Sequence, residues 1–168
     1  MQALTRCLTK LPKKDQYSMS SVTLAPLTQA EVREFAANWY RKLDVHAPLE
    51  DYIPLLAEDG LQMVFPEATV AGFEGFKGWY ERVIGIFFDE VHTLKEVIPV
   101  SISDDQAEFK IVVRWEASMW NPPAPSSERI VLDAYQTWIL QRSPKSQAPV
   151  ILTYIVDSLD YAEGSAQL

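Results

Sequence analysis

Apolar residues recur at three- and four-residue intervals from Val32 through Phe35, Ala36, Trp39, Tyr40 and Leu43, one stripe on a helical repeat. Thr28-Gln-Ala-Glu31 stands ahead of the stripe as a capping box, in which hydroxyl and carboxylate each satisfy an orphan backbone N–H. The pattern predicts a helix from there to about Asp44. After Pro48, residues Leu49, Tyr52, Ile53, Leu55 and Leu56 predict a shorter second helix, interrupted at Pro54 and stopped by Gly60. Leu61 to Phe65 reads as a short strand closed by Pro66, and Gly72 to Gly78 leads into a third helix carrying Phe76, Trp79, Tyr80, Val83, Ile84 and Phe87.

Beyond Phe87 the pattern becomes strand-like. Segments at about 89–102, 106–120, 127–141 and 149–161 read as strands. Ser-Asp-Asp, Asn-Pro-Pro-Ala-Pro-Ser-Ser and Ser-Pro-Lys-Ser-Gln join the last segments as hairpin connections, so an antiparallel arrangement is expected. Helices first and strands afterwards give an α+β class, with helices gathered on one face of the sheet.

Composition narrows this picture. A chain of 168 residues fits one domain that buries about 70% of the surface its unfolded form exposes. With 48% hydrophobic residues and five Trp it is a globular sequence, not a disordered one. A net charge of −8 argues against a nucleic-acid partner and against an anionic membrane surface, because both need clustered Lys and Arg. The local basic excess at Lys10, Lys13 and Lys14 does not change that balance. Cys7 is the sole cysteine, so no internal disulfide is required. Without an apolar run near ~18 residues, the cytoplasm is the default location. Residues 1–27 read as an extension, with Met19 an alternative start, 28–161 as the domain and 162–168 as a tail.

Several strings resemble the SnoaL-like branch of the nuclear transport factor 2-like (cystatin-like) superfamily. These are Trp39-Tyr40-x-x-Leu43-Asp44, Leu55-Leu56-Ala57-Glu58-Asp59-Gly60, Gly72-x-x-Gly75-Phe76-x-x-Trp79-Tyr80 and Phe88-Asp89-x-Val91-His92. The resemblance implies three helices packed on a strongly curved, mostly antiparallel sheet, a cone-like α+β barrel. It also implies an apolar pocket between the layers and a homodimer formed through the sheet. Polyketide cyclases, isomerases, epoxide hydrolases, dehydratases and non-catalytic binding modules share this architecture, so fold alone does not select an activity.

The aromatic residues Trp39, Tyr40, Phe65, Phe76, Trp79, Trp115, Tyr135 and Trp138 are the expected lining for a hydrophobic small molecule, the alternative being that such rings fill the core. Asp44, His92 and Asp133 are the candidate acid–base residues, since a carboxylate or imidazole in an apolar pocket can move protons near neutral pH. His46 accompanies Asp44 just past the first helix, where both could instead be a helix end and a solvated ring. The position of His92 resembles one at which many SnoaL-like proteins carry a histidine. Asp133 and Tyr135 share a strand face, while Leu132, Ala134 and Trp138 compete for the inward side. Arg114, Glu116 and Asp157 resemble the acid–Arg–acid set of limonene epoxide hydrolases, although Ile111, Val113, Trp115, Ala117 and Met119 form the more apolar face of that strand. Phe65 stands before Pro66 where ketosteroid isomerases place an aspartate. No metal or cofactor signature is present. Two readings stay open: a cofactor-independent cyclase- or isomerase-like enzyme, with an epoxide-hydrolase variant, and a non-catalytic ligand-binding or dimerisation module.

Overall fold

The computed structural model describes residues 25–168. Cys7, the three N-terminal lysines and the alternative start at Met19 lie outside the described residues, as does most of the expected extension. Its last residues are docked: Leu27 is buried, and Arg142 donates to the carbonyls of Ala25 and Pro26.

Helix α1 spans Gln29–Asp44 and begins where the capping box predicts. The Thr28 hydroxyl accepts from the Glu31 N–H at 3.2 Å, and Glu31 accepts from the Thr28 N–H at 2.9 Å. The Thr28 N–H and hydroxyl, both donating to its carboxylate and joined by the Arg142 guanidinium, hold the Glu31 carboxyl below its ordinary pKa. All six residues of the predicted stripe are buried. The second helix is not an α-helix. Leu49–Asp51 and Ile53–Leu55 form two separate 3₁₀ turns, because Pro54 has no N–H to continue a ladder and little chain separates Pro48 from it. Among the described residues there are therefore two α-helices where three are expected.

Strands β1 (Gln62–Val64) and β2 (Thr69–Ala71) form a small antiparallel pair. The sequence did not signal β2. Helix α2 (Gly72–Ile86) follows directly, with Gly72 at φ 66° making the turn that lets its N–H reach the Leu61 carbonyl at 2.9 Å. Strands β3 (Phe87–Ile102), β4 (Gln106–Met119), β5 (Glu128–Arg142) and β6 (Pro149–Tyr161) then run as antiparallel neighbours. The sheet order is β2-β1-β6-β5-β4-β3, with β1 parallel to β6. Among the described residues the sheet is open, with β2 and β3 as its edges, and does not close into a barrel.

Register shifts near Phe88/Val91, Leu94/Glu96 and Pro99/Ser101 on β3, and at Asp157 and Leu152 on β6 opposite Tyr135/Gln136 and Ile139/Leu140, introduce the local kinks that curve such a sheet. Its inner face carries Phe109, Ile111, Val113, Ile130, Leu132, Trp138 and Leu140, all essentially inaccessible to solvent, against α1 and α2. The core is densely aromatic. Trp39 meets Tyr52 edge-on with ring centroids at 5.4 Å, and Trp138 and Tyr154 approach to 5.0 Å. Offset and edge-to-face pairs of this kind add to the burial of their area. Residues 162–168 fold back onto β5, where Val131 donates to the Ser165 hydroxyl and Ala166 to the Arg129 carbonyl. No helix among the described residues is long and apolar enough to cross a membrane.

Candidate active site

A cavity of about 480 Å³ opens between α2 and the concave face of the sheet, a size suited to a small organic molecule. Phe65, Trp79, Phe87, Trp115, Leu132 and Val156 supply apolar wall, while Glu90, His92, Gln136 and Tyr154 are polar groups within it. Phe65 and Trp79 lie parallel at 3.8 Å between centroids on one side. Leu168, at the chain terminus, reaches the cavity's lining.

His92 is carried by β3 with its ring turned to the cavity, and α1 ends directly behind it. Asp44 Oδ1 accepts from the His92 backbone N–H at 2.9 Å and meets His92 Nδ1 at 2.6 Å. A carboxylate only accepts, so Nδ1 carries the proton and Nε2 is left as the free nitrogen. The imidazole lies between two rings, stacked on Tyr40 at 5.0 Å and 17° and on Trp115 at 6.2 Å and 25°. Its orientation is therefore fixed on three sides. The side chain is only 10% exposed.

Tyr40 links this base to a second polar group. Its hydroxyl donates to Gln136 Oε1 at 2.8 Å, and Trp138 Nε1 donates to the same oxygen at 2.8 Å. An indole N–H can only donate, so the amide is oriented with Oε1 toward Trp138, and Nε2 is its donor end, beside the Tyr154 phenol on the cavity lining. Burial raises the Tyr40 and Tyr154 phenols well above the ordinary tyrosine range, so both stay protonated.

A third polar group sits two residues before His92. Glu90 is buried, with Oε1 at 2.8 Å from His46 Nε2 and Oε2 accepting from Trp115 Nε1 at 2.9 Å. Glu90 is not among the candidates the sequence singles out. Simple alternation places positions 90 and 92 together, and that signal was available. Among the described residues no group of three or more His, Cys, Asp and Glu is placed to hold a metal ion.

The structure thus brings together two of the three candidate acid–base residues, Asp44 and His92. Asp133 does not join them, and its expected place on the pocket face is corrected. Alternation on β5 sends Ile130, Leu132, Ala134, Gln136 and Trp138 inward, leaving Asp133 and Tyr135 on the outer face. There Asp133 takes Arg114 Nε at 2.9 Å, Arg114 Nη2 at 3.1 Å and Lys95 Nζ at 2.7 Å. The Arg114 hydrogen bonds, with help from Lys95, hold its carboxyl below the usual carboxylate range.

The epoxide-hydrolase-like set also fails to converge. Arg114 is engaged by Asp133, Glu116 pairs with Arg129 at 3.4 Å, and Asp157 accepts from Thr137 at 2.7 Å and Lys110 at 3.2 Å. Of the expected lining residues, Phe65, Trp79 and Trp115 line the cavity. Trp39, Tyr40, Phe76 and Trp138 are core residues behind it, each at 2% exposure or less. Tyr135 is corrected to the outer face, 42% exposed. Trp120 is likewise exposed.

At the level of sequence, no family model and no curated protein matches the chain. Solved structures do match. The hexachlorocyclohexane dehydrochlorinase LinA-type3 from Novosphingobium barchaimii LL02 superposes over 83% of this chain and 93% of its own, with TM-score 0.64 and 13% identity. A scytalone-dehydratase-like protein from Novosphingobium aromaticivorans DSM 12444 covers 83% and 87%, with TM-score 0.62 and 12% identity. A nuclear transport factor 2-like protein from Salmonella enterica covers 83% and 92%, with TM-score 0.62 and 12% identity. Such low identity carries the architecture and nothing finer. The chain has the fold of the nuclear transport factor 2-like, cystatin-like superfamily.

Proposed function

We propose that this protein is a cofactor-independent enzyme of isomerase or lyase type, in which the Asp44–His92 pair removes a proton from a hydrophobic, carbonyl-containing substrate. The 2.6 Å contact between Asp44 and His92 Nδ1 carries the reading, because it leaves Nε2 as a fixed acceptor on an otherwise apolar wall. Nε2 would take a proton from the carbon next to the carbonyl, and Asp44 would compensate the positive charge that then develops on the ring. Electrons from the broken C–H bond would pass to the carbonyl oxygen. The Gln136 amide and the Tyr154 phenol, polar groups on the same cavity, favour a role in binding that oxygen. Neighbours of the same fold carry the names dehydrochlorinase and dehydratase, which also favours a lyase or isomerase type. Cyclisation is compatible with the same first step.

The test is hydrogen–deuterium exchange at the α-carbons of 2-tetralone and a panel of bicyclic and tricyclic ketones in D₂O, followed by proton NMR. Acceleration over buffer that disappears in His92→Ala is the expected result. A folded wild-type protein that accelerates none of them would leave the cavity as a binding site without this chemistry. The same reading includes a homodimer across the outer sheet face, where Ile98 and Tyr135 are exposed among ion pairs. Light scattering should give twice the 19.1 kDa chain mass.

A further inference from the structure

The end of α1 and the start of β3 are joined by two histidine–carboxylate pairs of opposite sense. Asp44 stands behind His92, which faces the cavity; His46 stands behind Glu90, which also faces the cavity. Glu90 and His92 are alternate residues of one strand, about 6–7 Å apart along it, so both reach the same substrate space. Only the first pair is used by the proton abstraction proposed above.

The second pair is built at a local conformational cost. His46 has φ 48° and Asp89, immediately before Glu90, has φ 50°, both left-handed and neither glycine. The register shift between Phe88 and Val91 inserts an extra residue into β3, the kind of bulge that re-aims a side chain. Glu90 keeps the alternation with His92 and faces inward at 5% side-chain exposure, the bulge just before it letting Phe87 face the cavity as well, while His46 stands at 29%. Each Glu90 oxygen has one donor, His46 on Oε1 and Trp115 on Oε2, and each keeps a second lone pair. Tyr80, also on the cavity, spends its hydroxyl on the Ala47 carbonyl at 2.7 Å and on Tyr52, and so does not compete for Glu90. Solvent, His46, Glu90 and cavity therefore stand in sequence.

We infer that His46 and Glu90 form a second proton path, which delivers a proton to the substrate at an atom different from the one His92 deprotonates. The inference rests on the proton-abstraction reading and specifies its substrate class: hydrophobic carbonyl compounds that lose a proton at one position and gain one at another. For a β,γ-unsaturated ketone the balance is complete. The α C–H bond breaks, its proton goes to His92 Nε2, and its electron pair forms the dienolate. With Glu90 first protonated through His46, a C–H bond then forms at the γ carbon as the Glu90 O–H bond breaks. Glu90 recovers a proton from His46, His46 from solvent, and His92 releases its own.

The experiment follows a bicyclic β,γ-unsaturated ketone (an octalone) in D₂O, scoring both conversion and deuterium at the γ carbon. Wild type is expected to isomerise it with solvent deuterium at that carbon. Glu90→Gln, nearly isosteric, is expected to slow conversion by about tenfold or more and to raise the share of substrate-derived hydrogen at the γ carbon, as His92 is left to return the proton it took. A purely structural role for Glu90 would lower the rate and leave the label unchanged. In His46→Ala the lost rate should be regained with imidazole in the buffer, which can reach this partly exposed position. An unchanged label in Glu90→Gln, no rescue by imidazole, or 2-tetralone exchange without octalone isomerisation would each overturn the second path while leaving the Asp44–His92 reading in place. Absence of both activities would instead remove that reading, and the path with it.

Discussion

The two faces of the sheet hold the same kinds of residue under different conditions. On the outer face, Asp133 takes two guanidinium hydrogen bonds and one ammonium contact. On the inner face, Asp44 engages a histidine whose second nitrogen is free. A carboxylate saturated by permanent cations has little left to offer a reacting molecule, whereas one that holds an imidazole transmits its effect to the free nitrogen. Proximity of opposite charges is thus common to both faces. What separates them is whether a proton-accepting atom remains open toward a mostly apolar cavity.

The largest expected effect breaks that comparison directly. His92→Ala should reduce exchange at 2-tetralone by about 10²- to 10⁴-fold, and Asp44→Asn by a substantial part of that, since the amide would offer Nδ1 a different partner. Asp133→Asn should leave the rate within about twofold. A loss in Asp133→Asn equal to that in Asp44→Asn, measured on folded proteins, would sink the assignment of the site to the inner face.

Stability should divide the same way along β5. Trp138, fully buried, packs against Phe35, Trp39, Tyr40 and Tyr154, and Trp138→Ala should cost about 3–5 kcal/mol in denaturant unfolding. Tyr135→Ala, three residues away on the outer face, should stay within about 1 kcal/mol in the monomer. If dimerisation uses the outer face, the Tyr135 variant instead shows itself as a shift in molecular mass.

The smallest effect concerns pH. Because the folded-state pKa of Asp133 is lowered by Arg114 and Lys95, its ion pairs contribute stability above the ordinary carboxylate value of about 3.9, and that contribution is lost as pH falls through the folded value. Wild type should therefore exceed Asp133→Asn in melting temperature by a small margin near pH 7, with the gap closing below about pH 4 and narrowing in 1 M salt. A gap that widens on acidification would contradict the ion-pair account.

Much of the fold was legible in the chain. The Thr28–Glu31 capping box and the Val32 to Leu43 stripe mark α1 because helix formation depends on local spacing, and the later hairpins follow from alternation between turn-rich strings. Legibility failed where local signals were weak or ambiguous. Apolar spacing around Pro54 could not distinguish an α-helix from two 3₁₀ turns, and Thr69–Ala71 is too short to announce itself as a strand. Within the site, Asp44 and His92 stood out as ionisable residues at element ends, and Glu90 was passed over beside them. Asp133 and Tyr135 share one face of β5 and Leu132, Ala134 and Trp138 the other, and the apolar set proves the guide to which side faces inward.

By itself, then, the sequence determined the α+β class, most element boundaries and the abundance of aromatic side chains available for a core or a pocket. Those properties depend on period and residue type, which neighbours in the chain settle among themselves. Only the tertiary structure decided which rings wall the cavity and which fill the core behind it. It alone paired residue 44 with 92 and 46 with 90, since contacts across more than forty residues depend on how the helix end lies along β3.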